Sequence, residues 1–141
     1  RTGDYVRSLM AEASGFDGDP ADLASRPYSA CSKDACIAQL RKDSGDWSLL
    51  ATRSSTLIDW ETFTHACAEA DIVVSDRRLP RGCTPRWLKL GASALRRSGG
   101  LAIYLGNRPR IDSVADRVGA HPWAEFATSR STPRARFPKD R

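Results

Sequence analysis

Seven cations stand between residues 77 and 97 with no acidic residue among them: Arg77, Arg78, Arg81, Arg86, Lys89, Arg96 and Arg97. The planar guanidinium fork fits phosphate oxygens two at a time, so the chemistry such a run can do is to hold a polyanion. Trp87 lies inside the run and can either stack on a base or pack in a core. The same run also reads as a solvated face whose cations pair with carboxylates elsewhere in the chain. The densest part, "SDRRLPRGC" (residues 75 to 83), follows the apolar run Ile72, Val73, Val74. Strands of that kind deliver functional loops at their carboxyl ends in α/β proteins.

Hydrolytic chemistry finds little to work with. The only two histidines are His65 and His121. A metal centre that activates water takes at least three clustered ligands. His65 falls on a helix with Glu61 and Glu69 one turn to either side, the pattern of a solvated, charge-paired side chain. His121, in "GAHPW", reads as a turn residue. No serine sits in a G-x-S-x-G elbow, and no glycine-rich phosphate loop is present. Asp76, beside Arg77, reads as an ion-paired or exposed loop carboxylate. These residues indicate no cofactor, no metal and no small-molecule substrate. Cys31, Cys36, Cys67 and Cys83 allow three pairings. The four residues between Cys31 and Cys36 suit a zinc site, whereas Cys67 and Cys83 are too far apart for one. Zinc, disulfides and free buried thiols all stay open at this point.

The elements that must position these residues alternate between helix and strand. "DYVRSLMAEASG" places Val6, Leu9, Met10 and Ala13 on one stripe, a core-facing helix with Gly15 as its stop. "FDGDPADLASRP" is a loop with room for one helical turn. Ile37–Arg41 and Trp47–Thr52 form a hairpin about "KDSGD", where Gly45 is free to take a positive φ. "LIDWETFTHACAEA" is a helix capped by Asp59, with Trp60, Phe63, Cys67 and Ala70 on its buried face. Then come the strand "DIVVS", the basic loop, a short extended "WLKL", the helix "ASALRRSGG" and the strand "LAIYLG". "RIDSVADRVG" reads as a helix with Ile111, Val114, Ala115 and Val118 inward and Gly119 as its stop. This order predicts an α/β fold, a sheet with helices packed on it, over residues 1–123. Residues 124–141 are polar, basic and aperiodic, and read as a disordered tail.

With 40% hydrophobic and 28% charged residues, the composition is that of a soluble globular domain. No apolar run nears the roughly 18 residues of a membrane span. The net charge of +5 agrees with a polyanionic partner without demanding one. The chain opens "RTGDYV" without Met and shows no signal peptide, so it reads as a segment of a longer protein.

The ordered run "ACIAQL…WSLLATRS…ADIVVSDRRLPRGCTPRWLKL…RRSGGLAIYLGNRPRIDSVADRVGAHPW" resembles the C-terminal end of the ComEC family of competence proteins, in its alphaproteobacterial form. The resemblance spans roughly residues 1 to 123. It implies part of a metallo-β-lactamase-like fold, an α/β domain with a mixed β-sheet and packed helices, attached to an inner-membrane channel for single-stranded DNA in natural transformation. Members with a full metal site carry Thr-Gly-Asp after a strand like "SLLATRS"; here Arg53 and Ser54 stand there. They carry His-His-Gly after the next strand; here Arg77 and Arg78 stand there. A later Gly-His-Pro has no counterpart in "GNRPRIDS". A cation in place of a metal ligand opposes the metal, so the resemblance implies a degenerate domain without hydrolase activity. Arg77, Arg78, Arg81, Arg86 and Lys89 then become candidate contacts to single-stranded DNA. Two alternatives accompany this reading: an active nuclease whose remaining ligands lie upstream, and a structural or docking appendage to the membrane-embedded remainder of its own chain. The implied location is the periplasmic side of the inner membrane, where disulfides form. Cys31–Cys36 and Cys67–Cys83 are the expected pairs.

Overall fold

The computed structural model describes residues 3–14, 18, 20–42 and 45–118. The tail after residue 123, His121 and Gly15 lie outside the described residues. In chain order the elements are α1 (Asp4–Ser14), a 3-10 turn (Leu23–Ser25), β1 (Ser29–Cys31), β2 (Ala35–Lys42), β3 (Gly45–Thr52), α2 (Trp60–Glu69) and β4 (Ile72–Val74). There follow β5 (Leu88–Leu90), α3 (Ala92–Ser98), β6 (Leu101–Tyr104), β7 (Arg110–Ser113) and α4 (Val114–Val118). The fold is mixed α/β. β1 to β5 form one five-stranded sheet in sequence order, and β6 with β7 form a separate two-stranded sheet. No helix of the described residues is long and apolar enough to cross a membrane.

The sheet changes character along its width. β1–β2 and β2–β3 are antiparallel, while β3–β4 and β4–β5 are parallel. The β2–β3 hairpin turns where Gly45 takes φ +126°, a conformation that side chains disfavour. β3 and β4 are joined by α2, whose first turn is capped by the Asp59 carboxylate accepting the Thr62 N–H at 3.0 Å. β4 and β5 are joined by a loop, residues 75–87, that carries most of the cations.

Strand alternation sorts the core onto two faces. Leu50 and Val73 are register partners on one face. There they pack with Phe63, Cys67 and Ala70 of α2 and with Cys83 of the loop. Leu49, Ile72 and Leu88 form the neighbouring row across β3, β4 and β5. It faces the other way, onto Leu95, Leu101, Ile103 and Ile111. Trp87 joins this second cluster, with its ring edge against Trp47 at 5.0 Å between centroids.

Three expectations are corrected. The α1 stripe is not core at its described side chains: Val6 and Leu9 are exposed, while the side chains of Met10 and Ala13 lie outside the described ones. Helical periodicity defines an apolar face but does not supply an element to cover it. Trp60 is not buried with Phe63 and Cys67 but is 56% exposed. It occupies the first turn of α2, where the residue beneath it is Gly82 of the loop rather than the sheet. Residues 110–118 are not one helix. Arg110–Ser113 pair with β6 in the register Leu101↔Ser113, and only Val114–Val118 are helical. Val114 and Ala115 are exposed. Among the described residues strand β6 has no other partner, and its unpaired backbone groups outweigh the helical pattern. Ser113 marks the switch by accepting the Asp116 N–H at 3.0 Å, a helix cap.

Candidate nucleic-acid interface

Because β3 and β4 run parallel, residues 52–54 and 75–78 leave the sheet at the same end. The hairpin turn between β1 and β2 reaches that end too, since the Arg53 N–H donates to the Asp34 carbonyl at 2.8 Å. Here the side chains are spent on one another. Thr52 Oγ1 donates to Ser75 Oγ at 2.8 Å, and Ser75 Oγ also accepts the Arg77 N–H at 3.1 Å. Ser54 Oγ donates to the Asp34 carboxylate and accepts the Thr56 N–H at 3.1 Å. The Arg77 guanidinium closes the network by donating to the Thr56 carbonyl. Arg53 donates to the Ser32 carbonyl at 3.3 Å. The Ser54 hydroxyl holds the Asp34 carboxyl below its ordinary range against the opposing cost of burial, helped to a lesser degree by the Thr56 side chain and by the charges of Lys33 and Arg77.

The residues present at these strand ends do not fit a metal ion. The carboxylates here are Asp34, engaged by Ser54, and the exposed Asp76, with Arg53, Arg77 and Arg78 among them. Among the described residues no three His, Cys, Asp or Glu side chains are grouped to hold a metal ion. His65 stands on the outer face of α2, 3.7 Å from Glu69.

The five cations singled out in the sequence separate into two kinds. Arg77 is tied to Thr56 as described. Arg86 pairs with Asp71 at 3.1 Å and donates to the Glu69 carbonyl, fastening the end of the loop to the end of α2. Lys89 lies on β5 beside Val73, on the α2 face, and donates to the Pro80 carbonyl at 2.6 Å. Although the residue is exposed, partial desolvation pushes its ammonium below the ordinary lysine value. Arg78 and Arg81, by contrast, are exposed and have no partner among the described residues. Arg96 and Arg97 are likewise exposed, in the last turn of α3, where cations meet the negative helix end.

The loop that presents Arg78 and Arg81 is anchored on both sides. At its start the Arg77 carbonyl accepts the Ala92 N–H at 2.9 Å. At its end Arg86 N–H and Trp87 N–H donate to the Ala70 and Asp71 carbonyls at 2.9 and 3.0 Å. Between these anchors Cys83 is bonded to Cys67 of α2, with Cα atoms 5.1 Å apart. The second disulfide joins Cys31 to Cys36, directly opposite each other on β1 and β2. All four cysteines are thus in disulfides, and neither zinc nor free thiols describe them.

Sequence reasoning missed Asp34, Asp71 and Trp60. Asp34 and Asp71 meet their partners 20 and 15 positions away, distances with no local signature. Trp60 carried a signal of another kind: it sits at the first helical position, where a residue can overhang the end of the sheet. No protein-family model, curated protein or solved structure matches this chain.

Proposed function

We propose that this chain is the C-terminal, metallo-β-lactamase-like part of a ComEC-family DNA-uptake protein. On this reading it has lost metal-dependent hydrolysis and contacts the phosphates of single-stranded DNA through Arg78 and Arg81. One observation carries the reading. At the shared end of β3 and β4, hydroxyls, Asp34 and Arg77 satisfy one another, while the two unpaired guanidinium groups stand on the adjoining anchored loop. Pre-anchored cations lose less freedom on binding than mobile ones. The two disulfides support a placement on the periplasmic side of the inner membrane, an oxidising compartment.

The test is a salt titration of single-stranded DNA binding by the parent and by an Arg78→Ala/Arg81→Ala variant. Each phosphate contact contributes roughly −0.7 to the slope of log K against log salt on single strands. The double variant is expected to bind more weakly, with a slope flatter by about 1.4. Equal affinity and slope in both proteins would refute the phosphate contact. Stoichiometric metal together with DNA cleavage by the parent would favour the nuclease alternative.

A further inference from the structure

We propose that Trp60 is a stacking platform for one base of the strand whose phosphates Arg78 and Arg81 hold. The inference rests on the reading above and adds a contact to the base itself. Trp60 is 56% exposed although it begins a helix packed on the sheet. Its six-membered ring lies over Gly82: a methyl group added there would sit 3.2 Å from Cζ2 and 3.4 Å from Cη2. Gly82 directly follows Arg81, so the exposed indole and an unpaired guanidinium are neighbours across one residue. The lack of a side chain at Gly82 is what lets the ring approach the loop backbone.

The relative placement of ring and cation is also set covalently. Trp60 and Cys67 belong to the same helix, and Cys67 is bonded to Cys83, the residue after Gly82. Helix and loop therefore move as one piece at this point. Exposed aromatics beside cations are how proteins hold single strands without sequence preference, since every base has a π-face. Leu57, three residues earlier in the chain, is 90% exposed.

An anionic lipid surface is the competing partner for an exposed Trp, Leu and two Arg. It is disfavoured by the carboxylates of the two residues that flank Trp60 in the chain. Asp59 and Glu61 are both exposed, and Thr62 keeps the Asp59 carboxyl below its ordinary range by hydrogen bonding, so it stays charged. Inserting the indole among anionic headgroups would carry both carboxylates with it. Stacking one base needs only a ring face.

The experiment compares the full chain with its Trp60→Ala and Trp60→Phe variants. Each is titrated with oligothymidylate and with an abasic oligodeoxynucleotide of equal length and charge. Trp60→Ala is expected to weaken oligothymidylate binding about 5- to 150-fold, the range of base stacking on an aromatic ring. It should leave abasic binding and the salt slope unchanged, and Trp60→Phe should restore most of the loss. Saturation with oligothymidylate should quench the indole emission of the parent more than that of Trp60→Phe, a readout that survives if Trp60→Ala does not fold. If Trp60→Ala binds oligothymidylate as the parent does, stacking is wrong and the phosphate contact stands. If the parent binds neither oligomer, the phosphate contact fails and stacking fails with it. If the parent instead binds phosphatidylglycerol vesicles with a blue shift that Trp60→Phe abolishes, the face is a lipid surface.

Discussion

The guanidinium of Arg86 and the carboxylate of Asp71 meet at 3.1 Å, and the same carboxylate accepts the Ser48 N–H at 2.8 Å. Through Asp71 the end of the basic loop is thus tied to the backbone of β3. Arg86 serves the fold, although the charge pattern groups it with Arg78 and Arg81. Arg86→Ala should therefore lower stability by about 1 kcal/mol, in the range of partly exposed charged hydrogen bonds. Its affinity for single-stranded DNA should stay close to the parent's. Urea unfolding and a DNA titration on the same protein check both statements, and a large loss of affinity with unchanged stability would reverse the assignment.

The two disulfides should differ in worth. Chain-entropy reasoning gives about 3 kcal/mol for closing a separation of 16 residues, Cys67–Cys83, and about 2 kcal/mol for 5 residues, Cys31–Cys36. Paired Cys→Ala variants should rank in that order by urea midpoint. Access differs as well. Cys67 and Cys83 are both fully buried, whereas Cys31 is only partly so. Mild reductant on the folded protein should open Cys31–Cys36 first, and peptide mapping after alkylation reads which pair was reduced.

Asp34 should give the strand-end network an acid limit. Its carboxyl lies below the ordinary 3.8, chiefly through the Ser54 hydroxyl, with Lys33 and Arg77 as the facing charges. A depressed carboxyl contributes stability that is complete above 3.8 and is lost as pH falls through the folded value. The parent's advantage over Asp34→Asn should hold at neutral pH and shrink below 3.8. An advantage that persists in acid would show that the Asp34 charge does not stabilise the network.

At Lys89 folding disfavours the charged form, yet the pH slope has the same sign. Burial lowers its ammonium from the ordinary 10.5, so just below that value the unfolded chain binds more protons than the folded one. Stability must then rise with pH in that window. Measured against Lys89→Met, which cannot titrate there, the parent's unfolding midpoint should climb as pH approaches 10.5. A flat difference between the two proteins would mean that Lys89 is as well solvated folded as unfolded.

What the sequence determined by itself was local. Asp59 caps α2 because its carboxylate needs only the N–H three residues on. Gly45 turns the β2–β3 hairpin because the required φ is open to glycine. The apolar run Ile72–Val74 is a strand buried on both faces, and Gly99 ends α3 at φ +66°. The candidate site was legible only as a density of charge. Arg78, Arg81 and Arg86 look alike in the chain. What separates them is a carboxylate 15 positions back from Arg86, brought near by the parallel pairing of β4 and β5. Tertiary structure likewise split residues 110–118, because β6 needs a partner for its backbone and Ile111 faces Ile103 across the pair. It also placed Trp60 over Gly82, outside the core, because the loop that Cys83 fastens to α2 passes beside the indole. Periodicity records which face of an element is apolar. Only the assembled sheet decides what covers that face, and which cations are left without a partner.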